Sequence, residues 1–239
     1  MKKQDCILIL CVAAVLAPFF IPATGFYKTF EYLTNEHPFL MSFAKFAILS
    51  TLGEMIGLRI SKGVYYEKGF GLLPRMIVWG FLGMGICMSM MIFKAGIVNV
   101  IGVIAADSSA NVPDSIANIS NIFKGDLSWG KVGIAFCVSV AMNSIFAPVF
   151  MTLHKITDTH ILTNGGTLGG FFRPIKMRHI ITHLNWDVQW NFVIKKTIPL
   201  FWFPAHTITF LLPGQFQVLF AALLGVALGV ILAIANNKK

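Results

Sequence analysis

The chain has 239 residues, of which 56% are hydrophobic and 12% charged, and its mean hydropathy is +0.74. Soluble domains average roughly 45–50% apolar and about 25% charged residues, so a water-soluble globular enzyme is excluded and lipid is the expected solvent. The formal charge of +9, from 19 Lys and Arg against 10 Asp and Glu, sits in short loops between apolar runs. That placement predicts anionic lipid headgroups as partners and no nucleic acid.

A bilayer core of about 30 Å is crossed by roughly 20 apolar helical residues. The first such run, residues 6–22, follows Lys2 and Lys3. Pro18 and Pro22 fall where a small-residue cleavage site would lie, so an uncleaved span is expected. Further runs cover residues 39–58, 76–105 with a break near Lys94-Ala95-Gly96, and 132–153. The last apolar region, 198–235, is too long for one crossing and contains Pro199, Pro204, Pro213 and Gly214. It predicts a short kinked crossing over 198–212, a turn, and a final helix over 216–235. The expected fold is an all-α polytopic transmembrane bundle of about six crossing segments. It forms one integral membrane domain over 1–239, with 1–26 as an extra N-terminal span and 27–235 as the main bundle.

Charge sets the expected direction. Arg59, Lys62, Lys68 and Arg75 follow the second run, and Lys155, Arg173, Lys176, Arg178, Lys195 and Lys196 follow the fourth. Lys238 and Lys239 end the chain. These sides are expected to be cytoplasmic, with both termini inside and the protein multi-pass in the inner (cytoplasmic) membrane. The stretch 107–130 carries Asp107, Asp114 and Asp126 against Lys124, and the segment with Lys28, Glu31 and Glu36 has no net positive charge. Those two are expected outside.

Small residues recur at helical spacing. Ser50, Gly53, Gly57 and Ser61 lie within about 60° of one another at 100° per residue, and Glu54 falls in the same arc. Gly80, Gly83 and Cys87 repeat the habit, as do Ser139, Asn143 and Ala147, and Ala221, Gly225, Gly229 and Ala233. Such faces let helices approach closely in lipid, and a packing seam is their simplest meaning. An intramembrane carboxylate is also a functional-site hypothesis by default, so Glu54 is a candidate pore residue. Its counter-cation is open: Lys45 projects from the opposite face, and Lys94 and Arg75 belong to another helix. Asn143, one turn before Pro148, is a second candidate for a polar path, with an interhelical hydrogen bond as the alternative.

The four cysteines, Cys6, Cys11, Cys87 and Cys137, lie in apolar runs without disulfide or zinc spacing and are expected to pack as small hydrophobes. His179 and His183 share a helical face but lack a third ligand nearby. With Arg173, Lys176 and Arg178 they predict a basic, lipid-facing amphipathic segment and no metal site. The glycine-rich stretch 164–170 lacks the Lys-Ser/Thr of a phosphate loop and is expected to be a flexible loop. No catalytic constellation is visible, so neither enzymatic activity nor a cofactor is expected.

Read in order, the polar punctuation carries a family resemblance. Tyr27 to Pro38, ending in His37-Pro38, resembles an opening Y-x3-L-x3-HP. Gly53-Glu54 occupies the place of a Gly-Asp, Arg75 follows a short basic loop, and Phe146-Ala147-Pro148 matches an F-A-P. Trp202 and Pro204, continuing to Phe210 and Pro213, resemble W-P-x2-Q-x2-N-F-x2-V-P, with His206 or Thr207 near its polar positions. The set resembles the small membrane protein family that includes the peroxisomal 22-kDa membrane protein and the Mpv-seventeen protein of the mitochondrial inner membrane. The resemblance implies a compact helical bundle and a weakly selective channel or small-solute permeation protein. The competing expectation is a non-conducting structural protein that holds lipid or a partner through its basic loop. A homo-oligomer is compatible with both.

Overall fold

The computed structural model describes residues 3–107 and 121–236. Lys2, Asp114, Lys238 and Lys239, used above to orient the chain, lie outside the described residues. The described residues are helical, with no strand among them. Among the described residues, five helices have the length and apolarity to cross a membrane: Lys3–Phe20, Pro38–Lys62, Leu72–Ala105, Trp129–Thr163 and Gly214–Ile231.

Helix α1 (Lys3–Leu16) buries no residue and ends in a 3-10 segment, Ala17–Phe20, that begins just before Pro18. It is held at its start. The Asp5 carboxylate accepts from Arg59 Nε and Nη2 at 2.8 and 2.9 Å and from the Tyr65 hydroxyl at 2.9 Å. Burial, together with that carboxylate, holds the Tyr65 phenol above its ordinary pKa. The start of α1 therefore lies at the same end of the bundle as the last turns of α3 (Pro38–Lys62).

Between them, α2 (Phe26–Glu36) leads through His37 into Pro38, the first position of α3, where proline's missing N–H costs nothing. Lys45 on α3 turns back to α2, its ammonium 3.0 Å from Thr34 Oγ1 and 4.6 Å from the Phe30 ring. Gly63 stops α3 at φ +78°, its N–H bonded to the Arg59 carbonyl at 3.0 Å.

Helix α4 (Leu72–Asp107) runs unbroken for 36 residues, so the break expected near Lys94-Ala95-Gly96 is absent. Glycine weakens a helix by only about 1 kcal/mol relative to alanine, and the Lys94 ammonium rests 4.7 Å over the Phe123 ring. Helix α5 (Trp129–Thr163) is capped by Ser128, whose hydroxyl accepts from Lys131 N at 3.2 Å. It passes through Pro148 and continues ten residues beyond the expected end at 153. Residues 154–163 are thus helix, not loop.

The turn after α5 corrects the expectation of a flexible loop. Gly165 and Gly166 adopt φ of +73° and +65°, and the Gly166 N–H closes on the Ile161 carbonyl at 2.9 Å. A Cβ on Gly166 would lie 2.7 Å from Gly71 N, so this turn is wedged against the α3–α4 connection. A short helix, α6 (Met177–His183), follows. A π-helix, Gln189–Trp202, comes next and runs directly into α7 (Phe203–Leu211). This rod starts nine residues earlier than the crossing expected over 198–212. Helix α8 (Gly214–Asn236) completes the bundle.

Small residues decide which helices touch. Helices α3 and α8 run parallel along one seam: a Cβ on Gly53 would sit 3.0 Å from Val226 Cα, one on Gly225 3.9 Å from Ser50 Oγ, and one on Gly229 3.7 Å from the Gly53 carbonyl. Gly57 faces Gly229 across the same seam. Gly80 and Gly83 lie under the rings of Phe43 and Phe46, bringing α4 against α3. The core between α4, α5 and α7 is built on Leu82, Met90, Val138 and Phe210.

Alanine at Gly83 would place its Cβ 2.5 Å from Phe46 Cβ, on the α3 stem. Gly83→Ala is expected to lose about 1–3 kcal/mol in detergent-based unfolding. Gly133→Ala, which meets nothing within 4 Å, should match the parent or exceed it slightly.

Candidate functional site

The bundle encloses a cavity of about 590 Å³ between α3, α4, α5, α8 and the π-helix–α7 rod. It reaches the surface at the end where α3 and α5 finish, beside the exposed Ser61, Lys62 and Leu162. Its deep end is Phe46, Ile86, Met142, Asn143, His206 and Ala221, all buried. Among the described residues, none from the opposite end of these helices lines it, so on these residues the cavity opens at one end of the bundle.

Arg75 organises its wall. The residue lies in the first turn of α4 and is 8% exposed. One terminal nitrogen pairs with Glu54 Oε2 of α3 and the other with Asp158 Oδ1 of α5. Its Nε donates to the Phe70 carbonyl at 2.7 Å, and the guanidinium sits 4.7 Å from the Phe70 ring centroid. The second oxygen of Glu54 accepts from Trp79 Nε1 at 2.9 Å and faces His154 Nε2 at 3.3 Å. His154 in turn packs on Trp79, ring centroids 4.4 Å apart. Asp158 reaches the Lys155 ammonium at 3.5 Å. Signs alternate along Lys155, Asp158, Arg75 and Glu54, so the cluster is balanced when His154 is neutral.

This geometry follows from where the residues fall on their helices. Helices α3 and α4 are antiparallel neighbours joined by a short connection, which brings Glu54 near the end of one beside Arg75 and Trp79 at the start of the other. His154 and Asp158 are four residues apart and share one face of α5. Arg75 therefore belongs to the buried cluster and not to the basic loop expected from charge alone, and Glu54 has a counter-cation. Trp79, His154 and Asp158 were not among the expected site residues. The spacing of His154 and Asp158 was the available signal, obscured by ending the fourth apolar run at 153.

The other expected residues separate into two groups. Asn143 lines the deep cavity, but its amide donates within α5, to the Ser139 carbonyl at 2.8 Å and to Ser139 Oγ at 3.3 Å. The interhelical bond expected of it is made by Ser139, whose hydroxyl donates to the Phe203 carbonyl at 2.8 Å. An amide four residues along can reach back to its own helix, and here it does. His206 lines the deep end with its ring 5.1 Å from that of Trp202. Among the described residues, its Nδ1, Trp202 Nε1 and Ser50 Oγ have no hydrogen-bond partner. Thr207 does not line the cavity; it donates to the Phe203 carbonyl of its own helix at 2.7 Å.

Of the motif residues, Arg75, Phe146, Ala147 and Trp202 line the cavity. Phe210 is in the core, while His37-Pro38, Pro204 and Pro213 mark helix starts. Gly53, Gly57, Gly225 and Gly229 line its α3–α8 edge, whereas Gly80 and Gly83 serve packing alone. Arg173, Lys176 and Arg178 are exposed and outside it. Among the described residues, no three His, Cys, Asp or Glu side chains converge as metal ligands. The chain matches no protein-family model, no curated protein and no solved structure.

Removing Arg75 leaves two carboxylates in the wall without their shared cation, whereas Glu54→Gln leaves Arg75 paired with Asp158. Arg75→Gln is expected to cost about 3–5 kcal/mol and Glu54→Gln distinctly less. Unfolding in nanodiscs should also show non-additivity in the Arg75→Gln/Glu54→Gln double variant, because the two residues share one network.

Proposed function

We propose that the chain is a membrane-embedded permeation protein for small solutes, whose path begins in the one-ended cavity. The observation that carries this reading is the ion cluster of Glu54, Arg75, His154 and Asp158 in the wall of a cavity of about 590 Å³. Charged groups inside apolar helices are costly and face cavities or partners. A cavity of this size suits a small organic molecule. The closed deep end corresponds to a resting state, and passage requires movement of the walls near Phe46, Met142 and Ala221.

In this reading the π-helix–α7 rod is the sixth crossing beside the five long apolar helices. The bundle sits in an inner membrane with the Arg59 and Lys62 end on the cytoplasmic side. Both termini then lie on that side, as basic-residue asymmetry favours, and Asp5 bonding to Arg59 supports that side for the start of α1. The resemblance to the peroxisomal 22-kDa and Mpv-seventeen family supports the same function through the motif residues that line the cavity.

Proteoliposomes carrying the full chain and a graded set of small solutes test this. Release with a size limit is expected, and Glu54→Gln should change its rate by at least severalfold, since the carboxylate orders the cavity wall. Release no faster than from protein-free liposomes, or identical release by parent and Glu54→Gln, would contradict the proposal.

A further inference from the structure

The segment between α5 and the π-helix carries chemistry that the cavity does not use. At this end four cations are ion-paired, Arg59 with Asp5, Lys62 with Glu67, Arg75 with Glu54 and Asp158, and Lys155 with Asp158, while among the described residues the exposed Lys68 and Lys196 are in no ion pair and Lys195 lies over the Trp190 ring. Among the described residues, Arg173, Lys176 and Arg178 have no ion-pair partner, and the nearby acid Asp187 accepts from Asn191 at 2.5 Å. Lys176, Arg178, His179 and Thr182 border an open hollow of about 500 Å³ on α6. The same segment carries exposed aromatic rings: Phe172 is 76% exposed, and Trp186 and Trp190 are 42% and 52% exposed.

This surface is fixed in place. Ile180 of α6 is buried, His160 Nε2 bonds the Phe171 carbonyl at 3.0 Å, and the Trp186 indole donates to the Ile181 carbonyl at 2.8 Å. The glycine turn before it is wedged against the α3–α4 connection. Unpaired cations beside exposed aromatic rings, at the end of membrane-length helices, form the arrangement expected at headgroup depth.

We propose that this segment is a docking site for an anionic phospholipid. The headgroup phosphate would lie in the hollow among Lys176, Arg178 and His179, with Arg173 beside it, and the acyl region would lie against Phe172, Trp186 and Trp190. A free phosphate would satisfy the cations and leave the aromatic surface uncovered, so lipid is the occupant. The proposal requires membrane residence and does not depend on permeation.

Bromine-labelled lipids test it through tryptophan quenching. The full chain carrying Trp129→Phe is reconstituted in phosphatidylcholine vesicles, leaving Trp186 and Trp190 as the exposed indoles. Brominated phosphatidylglycerol is expected to quench at an at least tenfold lower mole fraction than brominated phosphatidylcholine. Each nearby cation contributes about fivefold. The R173Q/K176Q/R178Q variant should bring the two lipids within about twofold while keeping its quenching by the brominated choline lipid, which shows that it is inserted. K68Q, at an exposed lysine outside the hollow, should retain the preference. Equal quenching by both lipids in the parent, whether or not inorganic phosphate binds, or an unchanged preference in the triple variant would overturn the proposal.

Discussion

Arg75 is the constraint around which the rest is arranged. One guanidinium holds carboxylates from two other helices while its third nitrogen and its flat face are occupied by Phe70. In an apolar interior a charge without a partner is far more costly than one in water, and breaking such a pair from one side costs several kcal/mol. The cluster therefore fixes the relative heights of α3, α4 and α5. It is also directional, with all its members near one end of the bundle. The cavity thus has a polar mouth and wall and a largely apolar, aromatic interior.

Close packing does the remaining work. Water drives apolar surfaces together, whereas in lipid helices associate through shape and hydrogen bonds. The glycine seam between α3 and α8 and the stacked Phe43 and Phe46 over Gly80 and Gly83 are shape solutions of that kind. They join α3 tightly to α4 and α8, which leaves α5 and the π-helix rod to close the opposite side of the cavity. Ser139 bridging to the Phe203 carbonyl fastens that side by a polar contact. At the deep end, Trp202, His206 and Ser50 keep polar atoms that have no hydrogen-bond partner among the described residues. Rearrangement there would break no hydrogen bond of those atoms.

Much of the architecture is legible in the amino-acid sequence because apolar runs of membrane-crossing length allow few solutions. Apolar runs near the required length locate the long helices, whereas the start of α3 at Pro38 and its stop at Gly63 come from the structure. Of the small-residue arcs, Gly53, Gly80, Gly83, Gly225 and Gly229 lie at helix contacts, and the pairing of α3 with α8 required the structure. Helix continuation was harder to read: residues 154–163 look like loop by polarity, yet they complete α5 and deliver His154 and Asp158. The same error of scale affected Arg75, which counts as one more basic loop residue until α4 is seen to begin at Leu72. Glu54 stood out alone because a single acid in an apolar run is conspicuous. Its partners come from other helices, and their proximity is a property of packing that no local spacing encodes.

The central claim is that the charged wall belongs to a water-accessible path entered from one end. Its most direct test is the reactivity of a cysteine at Met151, which lines the cavity one turn deeper than His154. Cys6, Cys11, Cys87 and Cys137 are first replaced. A membrane-impermeant charged thiol reagent should modify Met151→Cys when added on the face bearing Arg59 and Lys62 and leave it intact when added on the other. Protection from both faces, in protein that modifies fully once unfolded, would show a dry interior and contradict the account.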